Sequence, residues 1–414
     1  MNALRIAVLL LLAWGVCGTK AADWPQFRGA KQNGATEENP APASWPKDGP
    51  KILWKARVGI GPGGVAVVGE RLYAIGHHDG KETVVCLNTG DGSILWSHSY
   101  EAEKLDTMHE GGPASTPTVV GDVVYTLSRD GQIFALNAAD GKVKWSGHLQ
   151  KEQKAPLPFF GFTFSPLVTN GKLILPAGKP GSATIALEAA DGNSIWKKGE
   201  DPAGYATPVL HAGGKSVAIL NGGAFVLQKL ADGVEMGRYP FENPSPMNSY
   251  VNAATPLFHA NGYFITAAYG MGSARVDVME EGGKVALKEV WKTDEVAMQY
   301  GSPVLVKEHI FGFHTQDQGD SGGELVCLEW ATGKVTWRQK NPGRGMIITA
   351  GGKLVMLSRN GELVLAEADA TKFSEISRVQ VVGSTCRTDP VLAHGKLYVR
   401  SVNGELVCMD VSGK

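Results

Sequence analysis

One phrase recurs along this chain, and its spacing limits the fold more than any other feature. It is a short apolar run, an acidic turn ending in glycine, and a strand closing on tryptophan. It reads Cys86-Leu87-Asn88-Thr89-Gly90-Asp91-Gly92 to Trp96, Ala135-Leu136-Asn137-Ala138-Ala139-Asp140-Gly141 to Trp145, and Ala186-Leu187-Glu188-Ala189-Ala190-Asp191-Gly192 to Trp196. A sixth copy, Cys327-Leu328-Glu329 to Trp337, is well kept, and an eroded fifth still ends on Trp291. The fourth has Gly237 and the seventh Ile376 at the closing position. The eighth starts at Cys408-Met409-Asp410 and stops before its last strand, whereas Lys51-Ile52-Leu53-Trp54 is a closing strand without a first half. Closing positions therefore fall at 54, 96, 145, 196, 237, 291, 337 and 376, at intervals of 39 to 54 residues.

A period of this size, with turn-punctuated strands in each unit, is the signature of a β-propeller. A solenoid needs capping ends, whereas a ring is latched by one blade built from both termini. Each unit also repeats a first half, as in Ser115-Thr116-Pro117 before Thr118-Val119-Val120 and the turn Gly121-Asp122. The same phrase stands at Ser165-Pro166, Thr207-Pro208, Thr255-Pro256, Ser302-Pro303 and Asp389-Pro390. Hairpin dipeptides such as Asn170-Gly171 and Asn261-Gly262 follow. The expectation is an all-β, eight-bladed propeller over 51–414, four strands per blade, the last blade closed by the N-terminal strand. Much of the glycine excess, 53 of 414 residues, falls in these turns.

Around the repeat, residues 1–22 read as a secretory signal peptide: Arg5, an apolar run from Ile6 to Gly18, then small residues near a cut. The run is too short for a membrane span, and Trp14-Gly15-Val16 before Cys17 suits a lipid anchor poorly. A periplasmic or secreted protein with no transmembrane segment is expected, with 23–50 as an N-terminal extended segment. Forty basic residues against 41 acidic ones give no footprint for nucleic acid.

The phrase Ala-Leu-(Asn/Glu)-Ala-Ala-Asp-Gly…Trp resembles the PQQ-like repeat of quinoprotein-type propellers. That group includes pyrroloquinoline-quinone (PQQ) dehydrogenases and BamB-type outer-membrane assembly propellers. The opening Asp23-Trp24-Pro25-Gln26-Phe27-Arg28-Gly29 is similar to that of exported PQQ-like proteins of unknown role. The resemblance implies either a binding and scaffolding module of the envelope or a quinoprotein alcohol dehydrogenase with PQQ and Ca²⁺ in the channel. The dehydrogenases carry a vicinal cysteine pair, Ca²⁺ ligands and an aspartate base. No two cysteines are adjacent here, no haem motif is present, and no catalytic residue is carried over. The leading expectation is therefore a non-catalytic, monomeric binding module with no cofactor, taking envelope proteins or a small ligand; no metal site is assigned.

Individual residues sort by place in the unit. The repeat tryptophans Trp54, Trp96, Trp145, Trp196, Trp291 and Trp337 are expected to wedge adjacent blades together. Cys86, Cys327 and Cys408 occupy small-residue slots, one per blade, and are expected to be buried free thiols, with Cys386 less constrained. His77 and His78 on one strand point to opposite faces, which argues against a shared metal ion. With the tight turns on one rim, the longer connections lie on the other, and these are the candidate binding loops. Their aromatic and polar candidates are Phe159, Phe160, Phe162, Tyr239, Tyr250, Tyr300, His314 and Gln316. Channel and rim candidates for a cofactor are Arg129, Lys179, Arg359, Arg387, Arg400 and Asn360, with Arg129, Arg359 and Arg387 to pair its carboxylates.

Overall fold

The protein is seen in a computed structural model that describes residues 22–40, 44–105, 110–243, 250–282, 284–315, 322–341 and 343–413. Residues 1–21 of the expected signal peptide, Cys17 among them, and Gln316 lie outside these residues. Regular structure within them is all strand, in eight sheets that are antiparallel but for one short added strand. Blades 1 to 7 span 66–101, 118–148, 167–198, 209–240, 257–293, 304–339 and 345–380. Blade 8 joins the last three strands of the chain, 391–410, to the strand Lys51–Arg57, paired antiparallel from Lys51↔Asp410 to Arg57↔Glu405. This is the eight-bladed ring latched by both termini that the repeat predicts. No helix among the described residues is long and apolar enough to cross a membrane.

The repeat exists because each tryptophan performs the same act. Its strand carries a β-bulge one residue earlier in every blade, for example between Val143 and Trp145 and between Ile52 and Trp54. A bulge re-aims the side chain that follows it. The indole then reaches the next blade: Trp54 Nε1 donates to Thr89 O, Trp96 to Ala138 O, and Trp145 to Ala189 O, at 2.9–3.0 Å. Trp196, Trp291 and Trp337 donate likewise to Leu230, Trp330 and Asp369, at 2.9–3.1 Å. The ring lies against the glycine of that turn. A Cβ on Gly141 would come within 2.5 Å of Trp96, and its φ of +72° already favours glycine. Tryptophan and the following Asp-Gly turn are thus one device split between neighbouring blades.

Two blades depart from it. In blade 7 the residue opposite Leu365, where tryptophan belongs, is Ser377; Ile376 is the bulged residue, so the sequence alignment is one position early. There Trp45 comes in from the N-terminal segment, donates its backbone N–H to Ser377 Oγ (3.0 Å) and joins the same core. In blade 4 Gly237 does hold the closing position, and its bare Cα leaves room for Leu287 of blade 5. The four described cysteines are all buried and free, and Cys386 shares this state with the repeat positions.

Candidate functional site: a funnel above a plugged channel

The channel is closed at one end by residues 22–40, which thread across the inner strands. Trp24 exchanges both backbone bonds with Val67 of blade 1, at 2.8 Å, and Ala35–Thr36 adds a parallel fifth strand to blade 7. Gln32 side-chain atoms bridge Pro208 O and Leu210 N–H of blade 4, at 3.2 and 2.9 Å. Glu38 accepts the backbone N–H groups of His394 and Gly395 of blade 8, at 2.9 and 2.7 Å. One segment therefore touches blades across the whole ring.

Arg28 is the centre of this plug. It is 2% exposed, and Nη1 donates to Ser302 O, Ile347 O and Asp389 Oδ2 at 3.1–3.2 Å. Nη2 donates to Asn33 O (3.2 Å) and to Pro303 O. Gly34 is required beside it, because a Cβ there would lie 2.5 Å from the guanidinium carbon.

Why the arginine lands there follows from the inner strands. The Ser or Thr before each proline forms a belt around the channel. Gly64 N–H donates to Thr116 Oγ1 (3.2 Å), Thr116 N–H to Ser165 Oγ (2.9 Å), and Ser165 N–H to Thr207 Oγ1 (2.9 Å). Thr255 N–H donates to Ser302 Oγ at 3.0 Å. By strand register Met346 and Asp389 hold this place in blades 7 and 8, so the hydroxyl belt lapses after Ser302. Arg28 bridges that lapse. Burial pushes the Asp389 carboxyl up, while the adjacent guanidinium pulls it back down.

Above the belt the channel opens into a funnel of about 980 Å³, open mouth included, with Phe27 of the plug in its floor. The residues two places before the belt make the wall: Ala114, Thr163, Tyr205, Tyr300 and Arg387 among them. Arg129 and Phe160 come in from the loops of blade 2. Arg129 is 5% exposed; its Nε donates to Phe160 O (2.8 Å) and Nη1 to Gly112 O (3.0 Å). Burial lowers its pKa, against the pull of Glu82 and Glu110. Arg387 forms an ion pair with Glu110 at 3.4 Å and faces the Tyr300 ring at 6.0 Å. Burial pushes the Tyr205 phenol up to about 12, which keeps it a neutral hydroxyl in the wall.

The candidates divide accordingly. Arg129, Arg387, Phe160 and Tyr300 line the funnel, and Phe159 stands exposed beside it, edge-on to Phe160 at 4.9 Å. Others belong to packing. Phe162 is fully buried in the core between blades 2 and 3. Tyr239 lies in the outer strand of blade 4 and donates to Glu289, because that strand runs on through residue 240. His314 is buried with Nδ1 against the backbone of Ala297 and lies outside the lining. Arg400 is 2% exposed and binds the carbonyls of Gly63, Gly59 and Ile75 at 2.7–3.2 Å. It clamps blade 8 to blade 1 and contributes nothing to the funnel lining. Burial brings its pKa to about 10. Lys179, Tyr250 and Arg359 are half-buried, Asn360 is exposed, and all four lie outside the lining. His77 is buried on Ala102 O at 3.0 Å while His78 faces solvent, as their alternation requires. Among the described residues no three His, Cys, Asp or Glu side chains stand together as a metal site.

The family model described as "Outer membrane protein assembly factor BamB" matches residues 46–176 and 115–339. Protein Rv3035 of Mycobacterium tuberculosis is 30% identical over 44% of this chain, and the match spans only 42% of that protein. The outer membrane protein assembly factor BamB of Yersinia pestis is 23% identical over 86% of this chain and 87% of its own. Among solved structures, BamB from Moraxella catarrhalis superposes with a TM-score of 0.63 at 16% identity, covering 87% of this chain and 97% of that one. Quinohemoprotein alcohol dehydrogenase from Comamonas testosteroni gives 0.67 at 13% identity, covering 96% and 82%. At these identities both structures speak for the fold alone.

Proposed function

Because the chain belongs to the PQQ-like β-propeller family described as outer membrane protein assembly factor BamB, we propose that it is an exported, non-catalytic binding module. Its partners are proteins of the cell envelope, held on the rim that bears the long loops. The observation that carries this reading is the funnel itself. Its lining sets Arg129, Arg387, Tyr205, Tyr300, Phe27 and Phe160, residue types enriched at interfaces, among threonines and small residues. Its floor is a segment of the same chain, so it is a basin on a rigid ring. Native-envelope pull-downs with the wild type, Phe159→Asp and Arg387→Glu test it. Both variants should capture fewer partners; equal capture by all three would sink the reading.

A second reading, a PQQ-dependent oxidoreductase, is favoured by Arg129, Arg387 and Tyr300 facing one basin, which suits a planar aromatic carboxylate. The donor set fits the accompanying Ca²⁺ poorly. Among the described residues the one carboxylate of the lining, Asp389, is bound to Arg28, and hard cations take six or more oxygens. The four described cysteines are separate and free, so none forms the vicinal bridge of those enzymes. Titration of the purified protein with PQQ and Ca²⁺, followed by cofactor absorbance, separates the two readings: saturable binding supports the enzyme.

A further inference from the structure

Resting on the reading that the funnel face binds, we propose that Arg129 anchors a carboxylate carried by an extended apolar peptide segment. The side chains of that segment lie on Phe160 and continue outward over Leu157 and Phe159.

The anchor is built before any ligand arrives. Two of its nitrogens are held by Phe160 O and Gly112 O. Its own carbonyl accepts Phe162 N–H at 2.9 Å, and the backbone of Gly161 is packed so close that a Cβ there would lie 2.5 Å from Arg129 Cγ. An arginine so fixed loses little rotamer freedom on binding. Yet no Asp or Glu among the described residues lies within 4.0 Å of it, and Nη2 has no hydrogen-bond partner there. Arg387, the other guanidinium of the lining, has Glu110 at 3.4 Å. A desolvated cation without a counter-ion is costly to keep, and a carboxylate answers it with charge-assisted hydrogen bonds. One unmatched cation calls for a single negative charge, so a carboxylate suits it better than a dianion such as phosphate.

The second observation concerns size. Leu157 is 38% and Phe159 43% exposed, on the loop that supplies Phe160 to the wall. A small acid confined to the funnel leaves both in water, whereas a chain leaving the mouth covers them.

The test is fluorescence anisotropy on the full protein with two pools of labelled tetrapeptides built from Leu, Phe, Val and Ala. One pool ends in a free carboxylate and the other in a carboxamide; benzoate and inorganic phosphate serve as competitors. The free-acid pool should bind at least about tenfold tighter, which is the usual worth of one charge-assisted pair. Arg129→Met should erase that difference. Phe159→Ser should weaken the peptides several-fold and leave benzoate unaffected. Equal binding of the two pools, or binding of neither, overturns the proposal. Benzoate matching the peptides with Phe159→Ser silent would make this a small-acid site, and phosphate binding more tightly would make it a dianion site. The acid and amide pools decide the matter on the wild type even if a variant fails to fold. Should the rim variants still lose envelope partners while the pools bind alike, the carboxylate anchor falls and the binding-module reading stands.

Discussion

The two ends of the channel each bury an arginine, and the chain treats them in opposite ways. At the plugged end Arg28 touches Asp389 at 3.2 Å and spends its remaining donors on backbone carbonyls of blades 6 and 7 and of its own segment. At the open end Arg129 is held by two carbonyls, and the acidic influences on it among the described residues, Glu82 and Glu110, stay outside ion-pair distance. A closed site has its charges matched within the chain. A site left with a mismatch is where a ligand has something to add.

Breaking the matched end should have the largest effect. Arg28→Met leaves Asp389 buried and unpaired and orphans carbonyls on two blades, and loss of one partner of a buried pair costs about 3–5 kcal/mol. Denaturant unfolding of the variant should show a loss of this order, with part recovered in the double variant with Asp389→Asn. A loss below about 1 kcal/mol, typical of an exposed pair, would mean the plug does not hold the ring.

The plug is also where sequence reading stopped. Blades were legible because their determinants are local and periodic: a bulge, a tryptophan, and a glycine turn about one blade later. Gly237 was read correctly as a lost tryptophan, whereas the seventh blade was placed one residue early, since a bulge leaves no mark on composition. Residues 22–40 have no period, and Arg28 finds its partners on the ring 274 to 361 positions away. The funnel was half visible. Arg129, Arg387 and Tyr300 stand out in the sequence as loop residues; Tyr205 and Thr163 do not. All but Arg129 sit two places before a belt residue, so the phrase that located the inner strands also marked the wall. Tyr239, Phe162 and Arg400 show the converse error. Each stands near the expected rim in sequence, but strand alternation and blade contacts turn it into packing.

An intermediate effect lies behind the open end. Glu82 is 2% exposed, accepts the Tyr100 hydroxyl at 2.7 Å and the Arg129 backbone N–H, and is raised from 4.5 to about 7, chiefly by burial. Its folded value exceeds the unfolded one, so the associated stability is full below about pH 4.5 and fades as pH rises through about 7. At about 1.4 kcal/mol per unit, the change is at most about 3.5 kcal/mol. Glu82→Gln, which can still accept the Tyr100 hydroxyl, should flatten the fall in unfolding free energy between pH 5 and pH 8. Parallel curves for the two proteins would assign that fall to other groups.

The smallest stability effect belongs to Arg129 itself, and it is the sharpest test of the contrast. Arg129→Met removes two hydrogen bonds to carbonyls beside an open funnel, where water can replace them at little cost. It also removes a desolvated charge that no carboxylate among the described residues touches, and replacing such a charge with an apolar side chain of similar length is often neutral or stabilising. The two terms oppose, so the unfolding free energy should stay within about 1 kcal/mol of the wild type. The same substitution at Arg28 should cost several times more. Equal losses at the two positions would show that Arg129, like Arg28, is a structural clamp, and the mismatch at the open end would no longer argue for a ligand.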